Sequence, residues 1–142
     1  MGKTYQTTVI QAPVDQVWNK IRNFHDMSWA SGVVEKCEAV GEHAGDQIGA
    51  RRVLNGVFHE TLVEFSDLEN SFKYRIDDGP GPVSKDAVKD YIGAVRLIPV
   101  TDENTCLIEW SSRWESPTDD ACDFCHNIYL SLFDSLKNSF EA

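Results

Sequence analysis

The sequence predicts an α+β domain in which a curved sheet closes over one long C-terminal helix. Three observations predict it. Apolar residues fall at helical spacing near the end of the chain, at Ala121, Phe124, Cys125, Ile128, Leu132, Leu136 and Phe140, and a stripe of that kind needs a covering layer. Most of the remaining chain alternates with the period of two that strands show. Asn55-Gly56 sits between two such runs, the pair suited to a type I′ hairpin turn because both central residues need positive φ.

Taken in order, Lys3–Ile10 alternates and reads as the first strand. Pro13 opens a short helix with Asp15 in its first turn and Val14, Val17, Trp18 and Ile21 on its buried side. Asn23–Gly32 is a second short, less regular helical segment. Strands are then expected at Val33–Val40 and Gln47–Leu54, with a turn at Gly41–Gly45 between them. A two-residue turn at Asn55-Gly56 pairs Leu54 with Val57, Val53 with Phe58, Arg52 with His59 and Arg51 with Glu60, and it places Phe58, Glu60 and Leu62 on one face. Asn70–Asp77 alternates Phe72, Tyr74 and Ile76 against Ser71, Lys73 and Arg75, aromatics in and cations out. Asp78–Asp86, rich in Gly and Pro, is a loop. Two long strands follow, Val88–Val100 and Thr105–Glu115. The last helix is expected over Thr118–Ala142, with Ser116 as N-cap, Pro117 in the first helical position and Asp119 as the capping-box partner.

Length and charge bound the function. The chain has 142 residues, 42% hydrophobic and 11% aromatic, which suits one domain with a real core. A net charge of −10 with no cluster of Lys and Arg argues against nucleic acid and against anionic membrane surfaces. Met1–Ile10 lacks the basic start and apolar core of a signal peptide, and no apolar run reaches the ~20 residues a membrane span needs. The expected location is therefore cytoplasmic, with Cys37, Cys106, Cys122 and Cys125 as reduced thiols.

The pattern resembles a known superfamily on Ala12-Pro13 with Val17-Trp18, Ile48–Arg52, His59–Leu62, Tyr74–Gly81, Tyr91 with Gly93, and Trp110–Glu115. It is similar to the START-like, birch-pollen-allergen-type helix-grip proteins, also called SRPBCC proteins, in their polyketide cyclase/dehydrase and lipid-transport branch. The likeness spans essentially the whole chain. It implies a seven-stranded, strongly bent antiparallel sheet, two short helices after strand 1, and a cavity for an apolar small molecule against the C-terminal helix. Within the superfamily the chain looks most like the plant hormone-receptor and pathogenesis-related subgroup. It departs from the receptors where Ser31 stands at the place of their pocket lysine, where the tight Leu54–Val57 turn replaces their gate loop, and where Asp78–Asp86 lacks their latch. Hormone perception by that route is not expected.

Under this arrangement the ligand-binding candidates are Trp29, Val33, Phe58, Glu60, Leu62, Tyr74, Ile76, Tyr91, Trp110, Ser112, Trp114, Phe124, Ile128 and Leu132. Apolar area gives such a wall its affinity and a few polar atoms set orientation. Glu60 and Tyr91 are the catalytic candidates: a carboxylate among aromatics suits acid–base work, and Tyr91 or Tyr74 could donate to a carbonyl. Against that stands a structural role for Glu60 in an ion pair with Arg51, its partner in the register of the two-residue turn, with Arg52 left open as the alternative. Gly93 either leaves room for a ligand or eases sheet curvature.

The histidines His25, His43, His59 and His126 are dispersed, so no metal is expected. Cys122-Asp123-Phe124-Cys125-His126 spells the c-type haem signature. One helical turn produces this spacing without haem, and no cofactor is expected. Three readings follow: a module that binds an apolar or aromatic small molecule, an enzyme of the cyclase/dehydratase type, or an interaction or stress-related domain whose cavity is incidental. The expected partner is the small molecule, without nucleic acid or membrane insertion, and a homodimer is left open.

Overall fold

The alternating segments form one antiparallel sheet of seven strands in the order β1-β7-β6-β5-β4-β3-β2. In the computed structural model, which describes residues 1–141, the strands are β1 (Gly2–Ile10), β2 (Cys37–Val40), β3 (Arg51–Leu54), β4 (Phe58–Ser66), β5 (Ser71–Asp78), β6 (Lys89–Val100) and β7 (Thr105–Glu115). Strands β2 to β7 run as a meander, and β1 pairs with β7 from Gly2–Trp114 to Ile10–Cys106. Register shifts at His59/Glu60 and Leu62/Glu64 in β4 and at Lys89/Ile92 in β6 interrupt the ladder. Bulges of this kind bend a strand and raise its twist, which lets the sheet wrap the helix.

Two strands are shorter than the sequence suggests. Val33–Lys36 is turn rather than strand, because the amides of Val33 and Val34 return to the carbonyl of Ala30 at 2.9 and 2.8 Å. Those of Glu35 and Lys36 donate to Oδ1 of Asn55 at 2.8 and 3.1 Å. Gln47–Ala50 is likewise a turn, with Gly49 at φ +99°, and its amide and that of Gln47 bond to Leu62 and Ala44. The segment after α1 (Val14–Ile21) contracts to a three-residue 3-10 turn at Ser28–Ala30.

The final helix, α2 (Asp120–Asn138), starts later than predicted. Ser116 accepts the amide of Thr118, two residues on, at 3.3 Å, so its hydroxyl is spent in a local turn instead of capping the helix. Asp119 occupies the N-cap with no side-chain capping bond. The helix ends at Asn138, short of the predicted end at Ala142, which lies outside the described residues. The buried face is also rotated: it consists of Ala121, Cys125, Tyr129, Leu132, Phe133 and Leu136. Phe124, Ile128 and Phe140 are left half-buried. At the far end Lys20 of α1 donates to the carbonyl of Ser139 at 2.9 Å, tying the two helices together.

Aromatic side chains carry the core across the inner face. Phe24 meets Phe72 at 6.2 Å, Phe72 meets Tyr74 at 6.4 Å, Tyr74 meets Trp110 at 6.5 Å and Trp110 stacks on Tyr129 of α2 at 5.1 Å. Such pairs add about 0.5–1.5 kcal/mol each beyond the area they bury. They also fix where the hydroxyls and the indole N–H point.

Candidate functional site

The hairpin turn decides which side chains of β3 face the helix. Three residues, not two, connect the strands, so Leu54 opposes Phe58, Val53 opposes His59, Arg52 opposes Glu60 and Arg51 opposes Thr61. Asn55 and Gly56 both have positive φ, as their pairing in sequence requires, at 53° and 72°. The extra residue comes with a tether: Asn55 accepts the Glu35 and Lys36 amides through Oδ1, and its Nδ2 donates to the carbonyl of Val33 at 3.1 Å. A slip of one residue exchanges the two faces of a strand. The expected Arg51–Glu60 pair is therefore replaced by Arg52–Glu60.

That pair is buried, with Arg52 3% and Glu60 5% exposed. Nε and Nη2 of Arg52 lie 2.8 and 2.7 Å from the same oxygen, Oε1. Nη1 donates to the carbonyl of Phe24 at 3.0 Å and to Sδ of Met27 at 3.4 Å. The guanidinium sits 3.8 Å over the Phe24 ring, a cation–π contact in a desolvated setting.

A second polar group joins the sheet to α2. Trp110 Nε1 donates to the Tyr74 hydroxyl at 3.0 Å, Tyr74 and Tyr129 hydroxyls are 3.0 Å apart, and Tyr129 bonds in turn to Tyr91. Cys125 and Ser112 adjoin the Tyr91 hydroxyl. Burial, followed by the neighbouring phenols, pushes all three tyrosines well above the ordinary phenol range, so they are neutral hydroxyls at any physiological pH. Tyr74 has room for its ring because its cross-strand neighbour is Gly93. A Cβ there would stand 2.2 Å from Tyr74 Cζ.

Between these two groups lies a hollow of about 210 Å³. Its floor is sheet and its roof is Cys125, Ile128, Tyr129 and Leu132 of α2, with Met27, Val33 and Val34 closing one side. A wider concavity of about 640 Å³ lies elsewhere, among Tyr5, Glu64, Lys73, Arg96 and Glu109; it mixes exposed charges and lacks the convergent buried groups.

Residues 1–141 match the family model described as polyketide cyclase/dehydrase and lipid transport. The chain belongs to this family.

Among solved structures, a protein of Nitrosospira multiformis is 42% identical with a TM-score of 0.96, covering 99% of this chain and 97% of that one. XoxI of Bacillus cereus is 24% identical with a TM-score of 0.83, covering 99% and 96%. The ginseng major latex-like protein 151 of Panax ginseng is 15% identical with a TM-score of 0.75, covering 99% and 98%, a likeness of fold. The fold is the helix grip that the sequence pattern implied. No curated protein matches the chain.

In this family member, Val33, Phe58, Glu60, Tyr74, Ile76, Tyr91, Trp110, Ile128 and Leu132 all line the hollow. Five predicted site residues stand outside it. Trp114 stacks flat on Tyr91 at 5.3 Å, and its ring takes the space over Gly2, where a Cβ would come within 2.2 Å. Ser112 is bonded to Thr4 at 2.7 Å. Leu62 and Trp29 are packed into the core, and Phe124 lies at the margin of the helix face. The lining residues that pattern reading passed over are Met27, Val34, Arg52, Leu54, Asn55 and Cys125. Tyr129, four after Cys125 and three before Leu132, also lines the hollow, as its spacing on the helix allows.

The CxxCH segment is part of the structural frame. His126 Nδ1 bonds Oε1 of Gln6 at 2.9 Å, and buried Gln6 also donates to the carbonyl of Trp110. Cys125 is buried beside Tyr91, and burial raises its thiol to about 11. A thiol in that position does not reach a haem vinyl group without α2 leaving the sheet. Among the described residues, no group of three His, Cys, Asp or Glu is placed to hold a metal ion. Nor is any helix among them long and apolar enough to cross a membrane.

Proposed function

We propose that the chain binds a small apolar or aromatic molecule in the hollow between the sheet and α2. The observation that carries this reading is the hollow itself: an apolar and aromatic wall interrupted by two convergent polar groups, Glu60 with Arg52 and the three tyrosines. That is the usual makeup of a site where burial gives affinity and a few polar atoms give orientation. The volume of about 210 Å³ falls below the roughly 300–1,000 Å³ of drug-sized pockets, which favours one or two rings over a long acyl chain.

An enzymatic reading, cyclisation or dehydration using Glu60 with Tyr74 or Tyr91, draws on a carboxylate and neutral phenols sharing one hollow. It is the weaker one, because Glu60 is already engaged by Arg52 and Tyr91 by Tyr129. Native mass spectrometry of freshly purified chain, with extraction of anything that co-purifies, tests the binding reading. A small molecule retained by the wild type and absent from Leu132→Trp, which fills the hollow, is the expected result. Retention of the same molecule by a folded Leu132→Trp variant overturns it.

A further inference from the structure

We infer that the molecule held in this hollow is neutral and donates a hydrogen bond, through a hydroxyl or N–H, to Oε2 of Glu60. This rests on the binding reading above and names the chemistry of its ligand.

The hydrogen-bond inventory of the hollow carries the inference. Four of the five Arg52 N–H groups are directed at the protein, since Nε and Nη2 converge on Oε1 of Glu60 and Nη1 serves the Phe24 carbonyl and Met27, which leaves one N–H on Nη2. One face of the guanidinium is covered by Phe24 at 3.8 Å. A carboxylate entering here would lose its water and meet a guanidinium whose charge Glu60 already balances, so it would be left as an uncompensated buried charge. A fatty acid held by its acid group is thereby disfavoured.

The tyrosines are committed in the same way. Trp110 Nε1 is a donor only, so Tyr74 must accept from it. Two bonds among Tyr74, Tyr129 and Tyr91 use two of the three phenolic protons, and Cys125 adjoins the Tyr91 hydroxyl as a place for the third. An acceptor is left over as well. Among the described residues no donor reaches Oε2 of Glu60, although both Arg52 nitrogens crowd Oε1. This oxygen belongs to a side chain that lines the hollow, so a donor on a bound molecule can take it in place of water.

The ligand's charge follows from the pair. Arg52 and Glu60 cancel, so a cationic donor would bring an uncompensated buried charge, while a neutral hydroxyl or N–H supplies a hydrogen bond to a charged acceptor at no such cost. The combination is a ring compound with one neutral donor, apolar elsewhere.

Three probes of nearly one shape decide it, titrated into the full chain at neutral pH by calorimetry: 2-naphthol, 2-methylnaphthalene and 2-naphthoate. The expected order is naphthol tightest, methylnaphthalene weaker by about tenfold for want of the donor, and naphthoate weakest. Equal or tighter binding of methylnaphthalene overturns the inference and leaves the binding reading standing. Tightest binding of naphthoate also overturns it, since it would show that Arg52 accepts an anion. Binding of none of the three removes both the inference and the binding reading at the size the hollow allows. In Arg52→Met/Glu60→Leu the preference for naphthol over methylnaphthalene should vanish. If that variant does not fold, the order on the wild type still decides.

Discussion

Arg52 and Glu60 face each other across β3 and β4, and two guanidinium nitrogens, at 2.8 and 2.7 Å, share one carboxylate oxygen. Both side chains are almost fully buried, so removing one strands the other's charge. Arg52→Met and Glu60→Leu should each destabilise the chain by roughly 3–5 kcal/mol, and the double replacement by clearly less than their sum. Urea unfolding of the three variants measures this as a double-mutant cycle. Additive effects would show that the two charges are independently solvated.

Gly93 ties the sheet to the tyrosine cluster. Its partner in β5 is Tyr74, whose ring occupies the place a Cβ would take, 2.2 Å from Cζ. Gly93→Ala therefore forces Tyr74 out of its bond to Tyr129, and it should cost about 1–3 kcal/mol through overpacking. Paired with Tyr74→Phe most of the penalty should remain, because the ring carbons Cζ and Cε1 stand at 2.2 and 2.5 Å with or without the hydroxyl; only the share owed to the Tyr129 bond should disappear. Unchanged melting of Gly93→Ala would mean that the sheet shifts freely at this point.

The layers and their contents were legible in sequence, because alternation and helical spacing record which side chains are buried. The pairing of Glu60 was not. Its partner depends on whether the turn after Leu54 holds two residues or three, and that is settled by Asn55 reaching back to Val33, Glu35 and Lys36, a contact some twenty residues away that no local pattern contains. The roof of the hollow depends on distant partners too. Tyr129 is buried only because Tyr74 and Tyr91 meet its hydroxyl; without those partners a tyrosine belongs on the wet face. Gly93 shows the same limit, since the space it provides is filled by the protein's own Tyr74.

The cysteines should react in order of access. Cys106 and Cys125 are buried at 0% and 4% exposure, and burial raises both thiols to about 11. Cys37 and Cys122 are half-buried, and burial raises Cys37 as well. Iodoacetamide at pH 8 should label Cys122 first and leave Cys106 and Cys125 unmodified until denaturant is added, as read by peptide mass spectrometry. Early labelling of Cys125 would show that α2 lifts away from the hollow in the native state.

Alkaline pH should loosen the fold through the same buried groups. In the unfolded chain a thiol releases its proton near 9.0 and a phenol near 10.0. In the folded chain Cys106 and Cys125 hold theirs to about 11, and Tyr74, Tyr91 and Tyr129 hold theirs well beyond the usual range. Above pH 9 the unfolded state thus binds fewer protons than the folded one, so stability must fall as pH rises. The contribution of the thiols is complete below pH 9 and lost between 9 and about 11, while that of the phenols begins to be lost at pH 10. Each such group steepens the fall by roughly 1.4 kcal/mol per pH unit once its unfolded form is ionised. Urea unfolding from pH 7 to 11 should be level at first and then drop with increasing slope. Tyr91→Phe removes one phenol and should make the limb above pH 10 shallower by one proton, whatever it does to stability at pH 7. An unchanged slope in that variant would mean that Tyr91 ionises as readily folded as unfolded, which a phenol sealed between Tyr129 and Trp114 cannot do.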